Sequence, residues 1–82
     1  MARLKITVKL FAMFREIAGS NVLELDIPDN SNTHFLLTLL KQKYNNIPTE
    51  YALVALNSEY VSGNVVIKDG DEVAIIPPVS GG

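Results

Sequence analysis

From Arg3 to Leu10 apolar and polar residues alternate without a break, with Leu4, Ile6, Val8 and Leu10 on one side and Arg3, Lys5, Thr7 and Lys9 on the other. A strand reverses its side chains at every residue, so this pattern spells a half-buried strand whose apolar face must be covered by the rest of the chain. Phe11 to Ala18 changes to helical spacing. Phe11, Phe14 and Ile17 or Ala18 fall on its buried side, Arg15 and Glu16 on its wet side, and Gly19 supplies the left-handed terminus. Val22 to Ile27 alternates again, with Leu23, Leu25 and Ile27 inward, until Pro28 stops the ladder. The cap-rich run Asp29-Asn30-Ser31-Asn32 then predicts a second helix over 33–44, with Asn32 or Ser31 as its N-cap. Its stripe Thr33, Leu36, Leu37, Leu40 and Tyr44 suits packing on a sheet, and Phe35 and Leu39 beside the stripe either widen the buried face or form a small exposed apolar pair.

Pro48 excludes further helix, and Ala52 to Leu56 reads as a strand that is apolar on both faces. Asn57-Ser58-Glu59 turns the chain into a short Tyr60-Val61 segment. Val65 to Lys68 and Glu72 to Ile76 then flank Asp69-Gly70-Asp71, a hairpin signal. The order is β, α, β, α, β, a short β segment and a hairpin. An α+β domain follows, with a mixed sheet over one long helix and the first and last strands paired at its centre. Such a sheet has one face uncovered by helix, and Val54, Leu56, Ala74 and Ile76 are the residues expected to form an apolar docking patch there, the alternative being burial under loops of the same chain.

Beyond Ile76 nothing can extend a sheet. Pro77 and Pro78 fix their torsions and remove two backbone donors, and Val79-Ser80 leads to Gly81-Gly82, which have no Cβ. Residues 1–76 are therefore read as a domain and 77–82 as an extended flexible tail, which reaches roughly 20 Å when straight. A slim end on a stiff stalk can carry the Gly82 carboxylate into a narrow channel of another protein.

The remaining chemistry is sparse. Eighty-two residues support one modest core, 48% apolar and 20% charged composition excludes a disordered chain, and a net charge of −2 offers no basic field for nucleic acid. The chain has no cysteine, so disulfides, thiol catalysis and thiolate metal sites are excluded together. His34 is its one histidine and is expected at the surface, with no partner ligands for a metal. No glycine-rich loop precedes a helix, and no nucleophile and base are assembled around Ser80 or any other serine. Neither an active site nor a bound cofactor is expected. With no leader or membrane-spanning run, the cytoplasm is the expected location.

Several segments together carry a resemblance. Phe11-Ala12 with Arg15-Glu16 and Ala18-Gly19, Ala55 to Asn57 with Glu59, Asp69-Gly70-Asp71-Glu72-Val73, and Pro77-Pro78-Val79-Ser80-Gly81-Gly82 span the whole chain in order. In these the chain resembles the MoaD/ThiS family of ubiquitin-like sulfur carriers, and specifically its MoaD branch, the small subunits of molybdopterin synthase. It departs from that pattern at Ser58, where the family often has Gly, and in the apolar run Phe35 to Leu40. The resemblance implies a β-grasp fold and a carrier that is not an enzyme by itself. It implies that an E1-like adenylyltransferase uses ATP to activate Gly82, that a sulfur donor converts it to a thiocarboxylate, and that the large synthase subunit receives the tail. Arg15 and Glu16 match without an assigned role. A ubiquitin-like protein modifier, or a carrier for another pathway such as thiamine biosynthesis, is the alternative.

Overall fold

The structure, a computed structural model, describes residues 3–45 and 47–78. Strand β1 (Arg3–Leu10) has the expected bounds and alternating burial, and β2 (Val22–Pro28) pairs with it antiparallel, Leu4 opposite Ile27 and Val8 opposite Leu23. Between them lies α1 (Met13–Ala18), closed by Gly19 at φ 76° with its N–H on the Arg15 carbonyl. Helix α2 (Thr33–Lys43) begins at Asn32, whose Oδ1 accepts from the Phe35 N–H at 2.8 Å. A short 3₁₀ turn (Thr49–Tyr51) leads to β3 (Leu53–Leu56), β4 (Glu59–Val61) and β5 (Glu72–Ile76).

The sheet order is β2-β1-β5-β3-β4, with β5 parallel to β1 and antiparallel to β3. The first and last strands are thus central neighbours, as expected. One face carries Leu4, Ile6, Val8, Leu10, Ile27, Val54, Val73 and Ile75, which cluster with Phe14 of α1 and Leu36 and Leu40 of α2. This is an α+β β-grasp, with both helices burying their apolar sides against the same face.

Several sequence expectations need correcting. Helix α1 starts at Met13, so Phe14 is fully buried while Phe11 and Ile17 stand substantially exposed. The helix expected to be long has eleven residues, and of the pair beside its stripe Leu39 packs on the core while Phe35 is exposed. Val65 to Lys68 forms no strand, only an isolated bridge from Val66 to Asn32. Asp69-Gly70 turns the chain over the start of β1 instead of closing a hairpin. The Lys5 N–H donates to Asp69 Oδ1 at 2.7 Å, and the Gly70 N–H donates to the Lys5 carbonyl at 2.8 Å. A side-chain acceptor and a glycine at φ 85° satisfy β1 there in place of a neighbouring strand.

The turn from β3 to β4 is built by Asn57 and Ser58, both with positive φ, at 51° and 74°. Two such residues make the turn whose twist matches a two-residue hairpin. Asn57 also locks β3 to β5. Its N–H donates to the Glu72 carbonyl at 2.7 Å, its Oδ1 accepts from the Glu72 N–H at 3.0 Å, and its Nδ2 donates to Asp71 Oδ1 at 2.9 Å. The Asn57 side chain continues the ladder where the backbone has already turned away.

Candidate functional site

Cross-strand partners share a face, so the register of the sheet sorts its residues into rows. On the outer face, opposite the helices, one row runs Ile76 to Leu53 and the next runs Lys9, Ala74, Ala55 and Tyr60. Phe11 joins the first row, because its N–H donates to the Ile75 carbonyl and continues the β1–β5 ladder one step beyond Leu10. Phe11 is 43% exposed, Leu53 38% and Tyr60 69%, whereas Ala55 at 6% lies sheltered among larger neighbours. Rows of strands about 4.8 Å apart make this a continuous apolar strip across β5, β3 and β4. On the β1 and β2 side the same face is polar, with Lys5, Thr7 and Lys9 opposite Asp26, Glu24 and Val22. The Lys9–Glu72 ion pair, at 3.2 Å, marks the boundary.

Of the four residues expected to form the docking patch, Ala74 and Ile76 lie on this outer face and Val54 and Leu56 do not. Val54 pairs with Ile75 and Leu56 with Val73, so both point to the core side: Val54 belongs to the core cluster and Leu56 packs against it. The patch is completed instead by Phe11, Leu53, Ala55 and Tyr60. A strand apolar on both sides does not disclose which side is which. Only the pairing phase set by Asn57 decides it. Tyr60 carried a usable signal, since a two-residue turn at Asn57-Ser58 places it directly opposite Ala55.

The tail leaves from the end of this patch. Ile76 is the last residue of β5, Pro77 is half-buried and Pro78 is exposed. The other predicted tail positions, Val79, Ser80, Gly81 and Gly82, lie outside the described residues. The strand carrying the tail, β5, is the middle strand of the sheet and is paired on both sides, with β1 and β3.

Elsewhere the surface offers little chemistry. His34 is exposed, and among the described residues no group of three or more His, Asp or Glu side chains converges as a metal site would. No described helix is long and apolar enough to cross a membrane. Glu50 is held below the ordinary carboxylate range, chiefly by a hydrogen bond from its own backbone N–H and then by Lys41 Nζ at 3.1 Å. Both partners are exposed, and the pair ties the 3₁₀ turn to the end of α2. Arg15, Glu16, Gly19, Ser20 and Asn21 line a shallow polar depression beyond α1.

Comparisons with known proteins follow the same lines. Residues 8–82 match the ThiS family. A molybdopterin synthase sulfur carrier subunit from Dictyostelium discoideum is 41% identical over 80 residues, covering 92% of this chain and 93% of that protein. Among solved structures, a putative molybdopterin converting factor subunit 1 from Pyrococcus furiosus is 30% identical with a TM-score of 0.82, over 93% of this chain and 99% of that one. The small archaeal modifier protein 1 from Methanosarcina acetivorans is 26% identical with a TM-score of 0.76 over the full length of both chains.

Proposed function

The chain belongs to the ThiS family, and from that premise we propose that it is the sulfur carrier subunit of a molybdopterin synthase. The observation that carries this reading is the placement of the tail. The doubly flanked strand β5 delivers Pro77 and Pro78 from the rim of an uncovered apolar strip, and the sequence beyond them ends in Gly81-Gly82. A partner that covers Phe11, Leu53, Tyr60 and Ile76 receives the tail in the same encounter.

The chemistry requires this separation of roles. A carboxylate anion is a poor electrophile, so sulfur cannot displace its oxygen directly. In such carriers an E1-like enzyme joins the Gly82 carboxylate to the α-phosphate of ATP, releasing pyrophosphate. A sulfur donor then displaces AMP and leaves a C-terminal thiocarboxylate. Its sulfur is ionised near neutral pH and nucleophilic, and on the large subunit it bonds to carbon of the cyclic pyranopterin precursor; water then cleaves the carbonyl–sulfur bond, leaving the sulfur on the pterin and returning Gly82 as a carboxylate. The large subunit supplies the acid and base groups, Gly82 the sulfur, Gly81 a passage without side chains, and Pro77 to Ser80 the spacer.

The experiment is the intact mass of the chain after co-expression with its adenylyltransferase and a sulfur source. Replacement of one terminal oxygen by sulfur is the expected result, and an unaltered mass in the presence of a competent activating enzyme contradicts the proposal. The likeness to a small archaeal modifier favours one second reading, in which the activated Gly82 is passed to lysines of other proteins. Recovery of this chain in isopeptide linkage to target lysines identifies that role.

A further inference from the structure

The apolar strip does not stop at the edge of the sheet. Below Tyr60, on the core side of β4, lies a cavity of about 500 Å³ between the edge strand and α2. Leu37, Ala52, Val54 and Val61 form its apolar walls, with His34 and Asn64 among the polar groups of its lining. Leu53 and Tyr60 border this cavity and also belong to the outer strip, so the two surfaces meet around β4.

The hydrogen-bond phase of the sheet shows what the edge offers. The Asn57 N–H on the Glu72 carbonyl fixes β3 against β5, so that Leu53 and Ala55 turn their backbone groups toward β5. Val54 and Leu56 turn theirs toward β4, where they pair with Val61 and Glu59. Antiparallel pairs alternate between bonded and non-bonded, so Tyr60, opposite Ala55, directs its N–H and C=O away from the sheet. The two edges differ in their protection. The seven-residue β2 presents Glu24 and Asp26 on its outer face and ends in Pro28, which discourage further pairing. Strand β4 is short and carries the exposed Glu59 but has neither Lys nor Pro, and its outward residue, Tyr60, sits between an exposed apolar strip and a largely apolar cavity.

We infer that the edge of β4 at Tyr60 pairs with an extended segment of the large subunit, which seats an apolar side chain in the cavity between β4 and α2. The inference rests on the docking reading above and extends it around the sheet edge. In such a pairing the partner residue opposite Tyr60 faces the outer strip, and the residues on either side of it point to the cavity. One outward residue supplies only two backbone hydrogen bonds, so the buried side chain contributes most of the attraction and the backbone pair fixes the register.

The test uses the full chain with its large subunit. Exchange of the Tyr60 amide hydrogen is expected to slow by at least about tenfold in the complex, because a paired amide exchanges only when the edge opens. Two variants separate backbone from side chain: Tyr60→Ala removes the ring and keeps the N–H, whereas Tyr60→Pro removes both. Tyr60→Pro is expected to bind about three- to tenfold more weakly than Tyr60→Ala, the loss that one net hydrogen bond corresponds to. A complex in which the wild-type Tyr60 amide exchanges as in the free chain, with the two variants binding alike, overturns the edge pairing and leaves the docking strip intact. If Ile76→Lys also fails to weaken the complex, the docking reading falls and the edge pairing with it. If Tyr60→Pro does not fold, a wild-type Tyr60 amide that exchanges in the complex as fast as in the free chain still overturns the edge pairing.

Discussion

Replacing Asn57 by Gly tests how the sheet is locked. Glycine accepts the φ of 51° at this position, so the substitution removes the side chain without obstructing the turn. Two hydrogen bonds disappear, from the Glu72 N–H to Oδ1 at 3.0 Å and from Nδ2 to Asp71 Oδ1 at 2.9 Å. Both are exposed and water replaces part of each, so their loss costs about 1–1.5 kcal/mol together. The added freedom of glycine in the unfolded chain costs roughly 0.5 kcal/mol more. A total of about 1.5–2 kcal/mol corresponds to a fall in Tm of roughly 6–16 °C for a domain of this size. Thermal melting followed by far-UV circular dichroism, with a parallel urea titration, reads the change. A Tm within about 2 °C of wild type would refute the claim that this side chain closes the β3–β5 ladder.

Ala12 adopts φ 50° and ψ −122° between β1 and α1, a conformation suited to glycine. Ala12→Gly is expected to stabilise the domain by about 1 kcal/mol, the relieved strain exceeding the added entropy of the unfolded chain; a fall in Tm counts against strain there. Ile76→Lys, on the outer strip, is expected to weaken binding to the large subunit by at least about tenfold while leaving Tm nearly unchanged, as measured by titration calorimetry and melting. Glu50 has its carboxyl lowered in the folded state, so its contribution is present above its unfolded value and is lost as pH falls through the folded one. Glu50→Gln is therefore expected to flatten the acid limb of stability against pH slightly, and an unchanged limb counts against a lowered Glu50 carboxyl in the folded state.

Elements with one buried face were legible in the sequence. The alternation of Arg3 to Leu10 fixed both the bounds and the inward face of β1, and the Asn32 cap with the Leu36 and Leu40 stripe located α2 and its packing side. The apolar outer face was only half legible. Leu53 to Leu56 and Glu72 to Ile76 are apolar in both phases, so composition cannot say which side meets the helices. That choice lies in a long-range hydrogen bond between Asn57 and Glu72. Phe11 was missed because the helix begins two residues later than its spacing suggested, which leaves Phe11 as a continuation of β1. The Asp69-Gly70 pair misled for a similar reason. Its preferred local turn formed, but the acceptor it offers went to Lys5 of β1 and no hairpin partner was needed.

Removal of Gly82 tests the carrier role most directly. The shortened chain, mixed with its adenylyltransferase, sulfur source and large subunit, is expected to keep the Tm of the intact chain and its affinity for the large subunit within a few-fold, yet to transfer no sulfur to the pterin precursor. Undiminished sulfur transfer by the shortened chain would contradict the role assigned to Gly82, and a large fall in Tm would show that the end of the chain belongs to the core instead of serving a partner.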